Sequence, residues 1–249
     1  MTSILVTGGT GTLGTLVSAR LRRGGHDVRV LSRHAHPYAV DLRDGTGLDA
    51  AVEGVDAIVH CATSPRGGDD RSTARLTEAA RRAGVGHLVH ISIVGVDRVP
   101  LGYYGVKRET ERLIEQSGAS GGPGWTVLRT TQFHELVLRL LAGASRLPVL
   151  PLPSGVRVQP VDAGEVADRL AELALGPPAG RVADMGGPQI RPLADLARSY
   201  LRATGRRRGI MPVRLVGKAY AGFRAGGHLA PERAVGRVTF EEFLARRKN

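Results

Sequence analysis

The opening stretch of this chain constrains its fold more than any other. Met1 to Thr7 is a short apolar, β-branched run, which predicts a buried strand. Gly8-Gly9-Thr10-Gly11-Thr12-Leu13-Gly14 follows at once, and Thr15 to Arg23 reads as an amphipathic helix stopped by Gly24-Gly25. Glycines at 8, 11 and 14 have the spacing G-x-x-G-x-x-G. In that reading Gly8 permits a tight turn, Gly11 lets a phosphate reach the backbone, and Gly14 lets the helix pack on the strand. The free N–H groups and positive dipole end of the helix then favour a pyrophosphate.

Composition narrows the class. A chain of 249 residues with 42% hydrophobic content has ample material for a core. Cys61 is the sole cysteine, so an internal disulfide and a cysteine-cluster metal site are excluded, and no metal is expected. A single cysteine, an N-terminal apolar run too short for a signal peptide, and the interruption of Leu136–Leu152 by Arg139, Arg146, Pro148 and Pro151 together point to the cytoplasm and away from a membrane. The formal net charge is +12, and only Lys107, Lys218 and Lys248 of the 35 basic residues are lysines. The arginines lie in short pairs, densest at Arg206-Arg207-Arg208, and aromatics are 4% of the chain, so the pattern does not favour nucleic acid.

Asp27 to Ser32 predicts the second strand, and the residue after it bears on the cofactor. An NAD site places an acid there for the ribose hydroxyls. This chain has Ser32-Arg33, which can donate to and pair with a 2′-phosphate, so NADPH is expected over NADH. Tyr38-Ala39-Val40 is strand-like, and Asp41-Leu42 after it can sit by the adenine. Asp49 to Glu53 is a short helix and Val55 to Ala62 the third strand. The small side chains of Cys61-Ala62-Thr63 leave room for ribose or phosphate, and Cys61 reads as packing rather than as a nucleophile. Pro65 to Asp70 reads as a loop and Arg71 to Ala83 as a helix.

The chemistry falls after the fourth strand, His87 to Ile93. His87 and His90 should face opposite ways, against a shared metal. Ser92 ends the strand, and Tyr103 opens a helix running to Glu115 with Lys107 one turn on, so both project from one face. A neighbouring ammonium should lower the phenol from its ordinary value of about 10. Tyr103 would then serve as general acid, with Ser92 holding a substrate carbonyl. After the fifth strand, Trp125 to Arg129, the segment Gln132-Phe133-His134 supplies candidate substrate contacts. Helices are expected over Glu135–Ala144, Glu165–Leu175, Leu193–Thr204, Lys218–Ala225 and Phe240–Arg247. Strands are expected over Val156–Val161 and Arg181–Gly187, and a loop over Leu147–Pro153.

Thr7 to Gly14 together with Tyr103-x-x-x-Lys107 resembles the short-chain dehydrogenase/reductase superfamily. Several segments are similar to its atypical, NmrA-like branch of NAD(P)H-binding proteins: Val30-Leu31-Ser32-Arg33, Asp41-Leu42, Ile91 to Gly95, Tyr103-Tyr104-x-x-Lys107-x-x-x-Glu111, Thr126 to Arg129 and Gln159 to Asp162. The likeness extends to about Gly187. It implies pyrophosphate binding by Gly8, Thr10, Gly11, Thr12 and Leu13, a 2′-phosphate at Ser32-Arg33, adenine beside Asp41-Leu42, and ribose beside Ala62-Thr63. It makes Tyr103 the general acid/base and Lys107 its electrostatic partner. Relatives often carry two consecutive polar residues at Ser92-Ile93 and a proline at Thr130, so the chain departs there.

The expected fold is α/β, a Rossmann-like, doubly wound parallel sheet over 1–249, with a substrate-covering part from about 134–155 and 188–249. The leading expectation is an NADPH-dependent reductase of a carbonyl or conjugated alkene in a small apolar molecule, with a homodimer compatible. The alternatives are an NADP-binding regulator without turnover and a lyase or isomerase that uses bound NADP transiently.

Overall fold

The computed structural model describes residues 1–64 and 67–247. In chain order the first half holds β1 (Ser3–Thr7), α1 (Thr12–Arg23), β2 (Asp27–Leu31), α2 (Leu48–Val52), β3 (Ala57–His60), α3 (Asp69–Arg82), β4 (His87–Ile93), α4 (Gly102–Ala119) and β5 (Gly124–Thr130). There follow α5 (His134–Ala144), β6 (Val149–Pro153), β7 (Arg157–Val158), α6 (Ala163–Leu175), β8 (Gly180–Arg181), β9 (Arg191–Pro192), α7 (Leu193–Thr204), β10 (Gly209–Val213), α8 (Lys218–Arg224) and α9 (Phe240–Arg246). The chain divides into two compact units. One comprises Met1–Ser92, Gly102–Arg129 and Gly164–Ala183; the other comprises Ile93–Leu101, Thr130–Ala163 and Asp184–Asn249. The second therefore takes in more of the middle of the chain than the expected covering part.

In the first unit a six-stranded sheet runs in the order β2-β1-β3-β4-β5-β8. β1 pairs in parallel with β2 on one side and β3 on the other, so the strand order reverses at β1. Ligands of such sheets lie outside the carboxyl ends of the strands at this switch point. Ile4, Leu5 and Val6 are wholly buried, as a strand covered on both faces requires. Leu5, Ile58 and Leu88 share one cluster with Leu42, Leu48, Leu76 and Ile114 from the elements packed against that face. α3 begins two residues before the expected helix, at Asp69-Asp70, which belong to its first turn, and carries Arg81 and Arg82 in its last. Acid first and base last suits the helix dipole. Of the loop expected at Pro65–Asp70, Pro65 and Arg66 lie outside the described residues, and Asp69 is helical.

The second unit departs further from expectation. Leu147–Pro153 is not all loop, because Val149–Pro153 pairs in parallel with Gly209–Val213. A two-stranded sheet gives each strand an outer edge, where Pro151 and Pro153 can sit without breaking a ladder. Leu150 and Leu152 point into a core with Val137, Leu141, Leu196, Tyr200, Phe240 and Phe243. The strand expected over Val156–Val161 shrinks to Arg157–Val158. Beyond it Gln159 is fully buried and its amide is spent on other backbone. It donates to the carbonyls of Gly187 (2.9 Å) and Ala230 (3.1 Å) and accepts from the Ala230 N–H (2.8 Å). The expected strand Arg181–Gly187 likewise keeps only Arg181 in a ladder, with two further bridges, from Met185 to Thr130 and from Gly186 to Ala234.

Candidate active site

Each glycine of the first turn has a distinct reason to be one. Gly8 has a φ of 65°, and a Cβ there would lie 2.8 Å from the Ala62 backbone. A Cβ on Gly14 would come within 2.7 Å of Gly9 Cα and strike the Gly8 carbonyl, so any larger residue pushes α1 off the turn. Gly11 is less crowded, its nearest neighbour being the Gly8 carbonyl at 3.2 Å. Gly11 also stands as the N-cap of α1 without a side-chain capping bond, and no acid occupies the first turn. The leading N–H groups of this helix are thus left for an anion. Thr10, Gly11 and Thr12 are exposed and present that backbone, while Leu13 is buried. A pyrophosphate fits this cradle.

At the end of β2, Ser32 accepts a hydrogen bond from the His34 N–H (3.3 Å). Arg33 is exposed and has no ion pair among the described residues. Asp41 accepts from the Arg43 N–H (3.0 Å), the mark of a turn-forming acid, and Leu42 belongs to the core. Across the turn the Ala62 N–H donates to Thr7 Oγ1 (3.3 Å). Burial pushes the Cys61 thiol up to about 12, which suits packing and not nucleophilic attack.

Tyr103 and Lys107 share one face of α4, and a chain of polar contacts joins them through α3. The Tyr103 hydroxyl lies 2.9 Å from Thr63 Oγ1, and Thr63 donates to Asp69 Oδ2 at 2.7 Å. Lys107 Nζ stands 3.6 Å from the same oxygen, both side chains being about 95% buried (4% and 5% exposed). The Ser64 N–H holds the other carboxylate oxygen at 2.7 Å. Burial pulls the Lys107 ammonium below its ordinary value, and Asp69 offsets part of that. The expected lowering of Tyr103 is not found: burial raises the phenol, the Thr63 contact works against that rise, and the Asp69 charge adds to it. The main reason is burial of the phenol, with the charge of Asp69 adding to it. Asp69 escapes sequence reasoning, since its only local signal is that of an acid opening a helix.

Ser92 is placed differently from expectation. The hydroxyl that Tyr103 meets is that of Thr63, while Ser92 is buried towards Glu111. Burial opposes the Glu111 charge, but Arg129, Ser92 and Arg108 outweigh it and hold the carboxyl below its ordinary value. His87 and His90 reach separate partners, Thr126 Oγ1 (2.9 Å) and the His60 carbonyl (3.3 Å). His60 stacks on His90 at 5.0 Å, and both its nitrogens are engaged by Thr7 and Thr73. Among the described residues no group of three or more His, Cys, Asp or Glu side chains is arranged to hold a metal.

The three candidate substrate contacts lie in the second unit. Gln132 donates to the His228 carbonyl (3.2 Å) and accepts from the Gln159 N–H (3.4 Å). His134 is fully buried, its ring stacked on Phe243 at 5.0 Å and its Nε2 3.0 Å from the Val238 carbonyl. Burial lowers its affinity for a proton. The apolar faces of α5 and α9 draw this ring inward. Phe133, the N-cap of α5, keeps a partly exposed position.

Residues 8–136 match the model of a family described as NAD(P)H-binding. Over 220 residues, 82% of this chain and 74% of the relative, the sequence is 31% identical to (4-alkanoyl-5-oxo-2,5-dihydrofuran-3-yl)methyl phosphate reductase of Streptomyces griseus. It is 30% identical to an NAD(P)H azoreductase of Xenophilus azovorans, across 86% of this chain and 76% of that one. In fold it is similar to an NADPH-dependent quinone oxidoreductase of Escherichia coli solved with NADPH. The TM-score there is 0.81, with 20% identity over 99% of this chain and 100% of that one. The chain belongs to the NAD(P)H-binding family and is an NAD(P)-dependent oxidoreductase.

Proposed function

We propose that this protein is an NADPH-dependent reductase of a carbonyl or conjugated alkene in a small apolar molecule, with Tyr103 as its proton donor. The observation that carries the reading is a half-buried phenol one helical turn from a buried ammonium, in the same compact unit as an uncapped glycine turn. NADPH, when bound, supplies hydride. Gly8, Thr10, Gly11, Thr12 and Leu13 hold the pyrophosphate through backbone N–H groups. Ser32 and Arg33 hold the 2′-phosphate, Asp41-Leu42 border the adenine, and Cys61-Ala62-Thr63 and Lys107 line the ribose. Tyr103 gives its hydroxyl proton to the atom that gains negative charge as hydride arrives. Gln132 and Phe133, which stay partly exposed, are assigned to substrate binding, while the buried Ser92 and His134 are left out of it.

Two things support a small apolar, unsaturated substrate. The second unit exposes Leu136, Leu140, Leu147 and Val149 on and after α5, apolar groups that an apolar ligand can cover. The relatives include proteins named as an oxo-dihydrofuran phosphate reductase and an azoreductase.

The test is NADPH oxidation by purified protein across a panel of enones, quinones and apolar carbonyls. Tyr103→Phe should lower kcat about a hundredfold, within the usual worth of a positioned acid, with NADPH affinity unchanged. Full turnover by that variant overturns the mechanism. Tight NADPH binding without oxidation would favour a regulator, and product formed without net NADPH consumption would favour a lyase or isomerase.

A further inference from the structure

Asp69 is a buried carboxylate that the proposed reaction does not consume. Its two oxygens face three partners: the Ser64 N–H, the Thr63 hydroxyl and the Lys107 ammonium. As an acceptor only, it fixes the direction of the hydrogen bonds around it. Thr63 spends its one proton on Asp69, so towards Tyr103 it can offer only a lone pair. The phenol must then be the donor in that contact, and only a protonated phenol can donate. The Thr63 contact lowers the phenol only where that hydroxyl is the donor, and its proton is already given to Asp69.

The charges point the same way. The titratable groups that bear on Tyr103 or Lys107 are Asp69 on α3, Tyr104 and Glu111 on α4, His60 on β3, Cys61 after it, and His90 on β4. Tyr104 and Cys61 are both pushed up to about 12, and His60 is held neutral down to about 3. Of the two acids that Lys107 feels, Glu111 is taken up by Arg129 and Asp69 stands 3.6 Å from its Nζ. Because burial brings the lysine down, rising pH removes the ammonium early and leaves the carboxylate facing the phenol.

We propose, building on the reading of Tyr103 as proton donor, that Asp69 is the positioning residue of the proton step: it orients Thr63 as an acceptor and engages Lys107, so that Tyr103 is kept as a hydroxyl ready to donate. An acid that merely caps α3 would hold the helix and leave the phenol's ionisation untouched.

The ionisation of Tyr103 can be read without turnover, by ultraviolet titration of the full chain. The difference from Tyr103→Phe isolates this phenol among five tyrosines. In Asp69→Asn the titration should move to lower pH, and the alkaline limb of NADPH-dependent turnover should move with it. Thr63→Val should also move it to lower pH, because the phenol loses its acceptor, and Thr63→Ser should restore the wild-type curve. Thr63 is exposed, so its variants keep the test usable if Asp69→Asn does not fold. An unmoved titration in folded Asp69→Asn, or an upward shift in Thr63→Val, overturns the inference even where Tyr103 proves catalytic. Full turnover by Tyr103→Phe would instead overturn the reading beneath it, whatever the titration shows.

Discussion

Arg33 stands exposed after β2, where an NAD-binding chain carries an acid, and no carboxylate among the described residues neutralises it. An unpaired guanidinium offers a fork of donors that matches a phosphate and has no use for a ribose hydroxyl as donor. Arg33→Ala should therefore weaken NADPH binding about tenfold, the worth of one solvent-exposed charge-assisted contact, and leave NADH unchanged. Calorimetric titration with both nucleotides decides it; equal losses for the two would remove Arg33 from cofactor choice. The placement of such residues is legible in the sequence because it depends on near neighbours. Gly8 and Gly14 answer to a local turn, and Tyr103 and Lys107 to a four-residue spacing. Asp69 was not legible, since Lys107 and Tyr103 come to it from a separate helix. Nor does spacing reveal that Ser92 turns towards Glu111 or that His134 turns into the core between α5 and α9.

At the scale of elements, α4 is held to β5 by a buried ion pair. Arg129 Nε and Nη2 donate to the two Glu111 oxygens at 2.7 and 2.6 Å, the side chains being 2% and 0% exposed. This two-pronged contact fixes the helix that carries Tyr103 and Lys107. Arg129→Met would leave the Glu111 carboxylate buried, with the half-exposed Arg108 at 3.0 Å and the charge of Lys107 still to offset it. Stripping one partner from such a pair costs about 3–5 kcal/mol. Urea unfolding near neutral pH should show a loss at the lower end of that range, since Arg108 remains. A loss below about 1 kcal/mol would mean the pair contributes little. The sequence shows the helices and the five long parallel strands well, because their periodicity and end signals are local. It misreads β6 and overextends β7. The partner of β6 is β10, far along the chain, and prolines mask a strand whose edge tolerates them. What ends β7 is that the Gln159 backbone turns to side chains, its N–H to Gln132 Oε1 and its carbonyl to the Thr131 hydroxyl, which no pattern of apolar residues reports.

The whole molecule carries a further consequence in its histidines, which both units bury. Burial holds His60 down to about 3 and His228 to about 4, against an ordinary value of 6.5. His87, His90 and His134 are lowered for the same reason. An unfolded chain takes up protons at these positions as pH falls through 6.5, and the folded chain refuses them. Unfolding is thereby favoured, so stability is level above that value and declines as pH drops from 6.5 towards 4. Each such histidine adds a slope of up to about 1.4 kcal/mol per pH unit. Glu111 and Glu241, held below their ordinary value by arginine and hydroxyl partners against the opposing effect of burial, extend the decline below 4.5 with the same sign. The net charge of +12 works in the same direction, because each added proton raises the self-repulsion of an already basic chain. Thermal unfolding should accordingly come at a markedly lower temperature at about pH 5 than at about pH 7.5, with little change from there to about pH 8.5. Replacing His60 by Asn, which can still bond Thr7 or Thr73 and does not titrate, should flatten part of the slope. Equal unfolding temperatures at about pH 5 and pH 7.5 would show that these rings take protons as readily folded as unfolded.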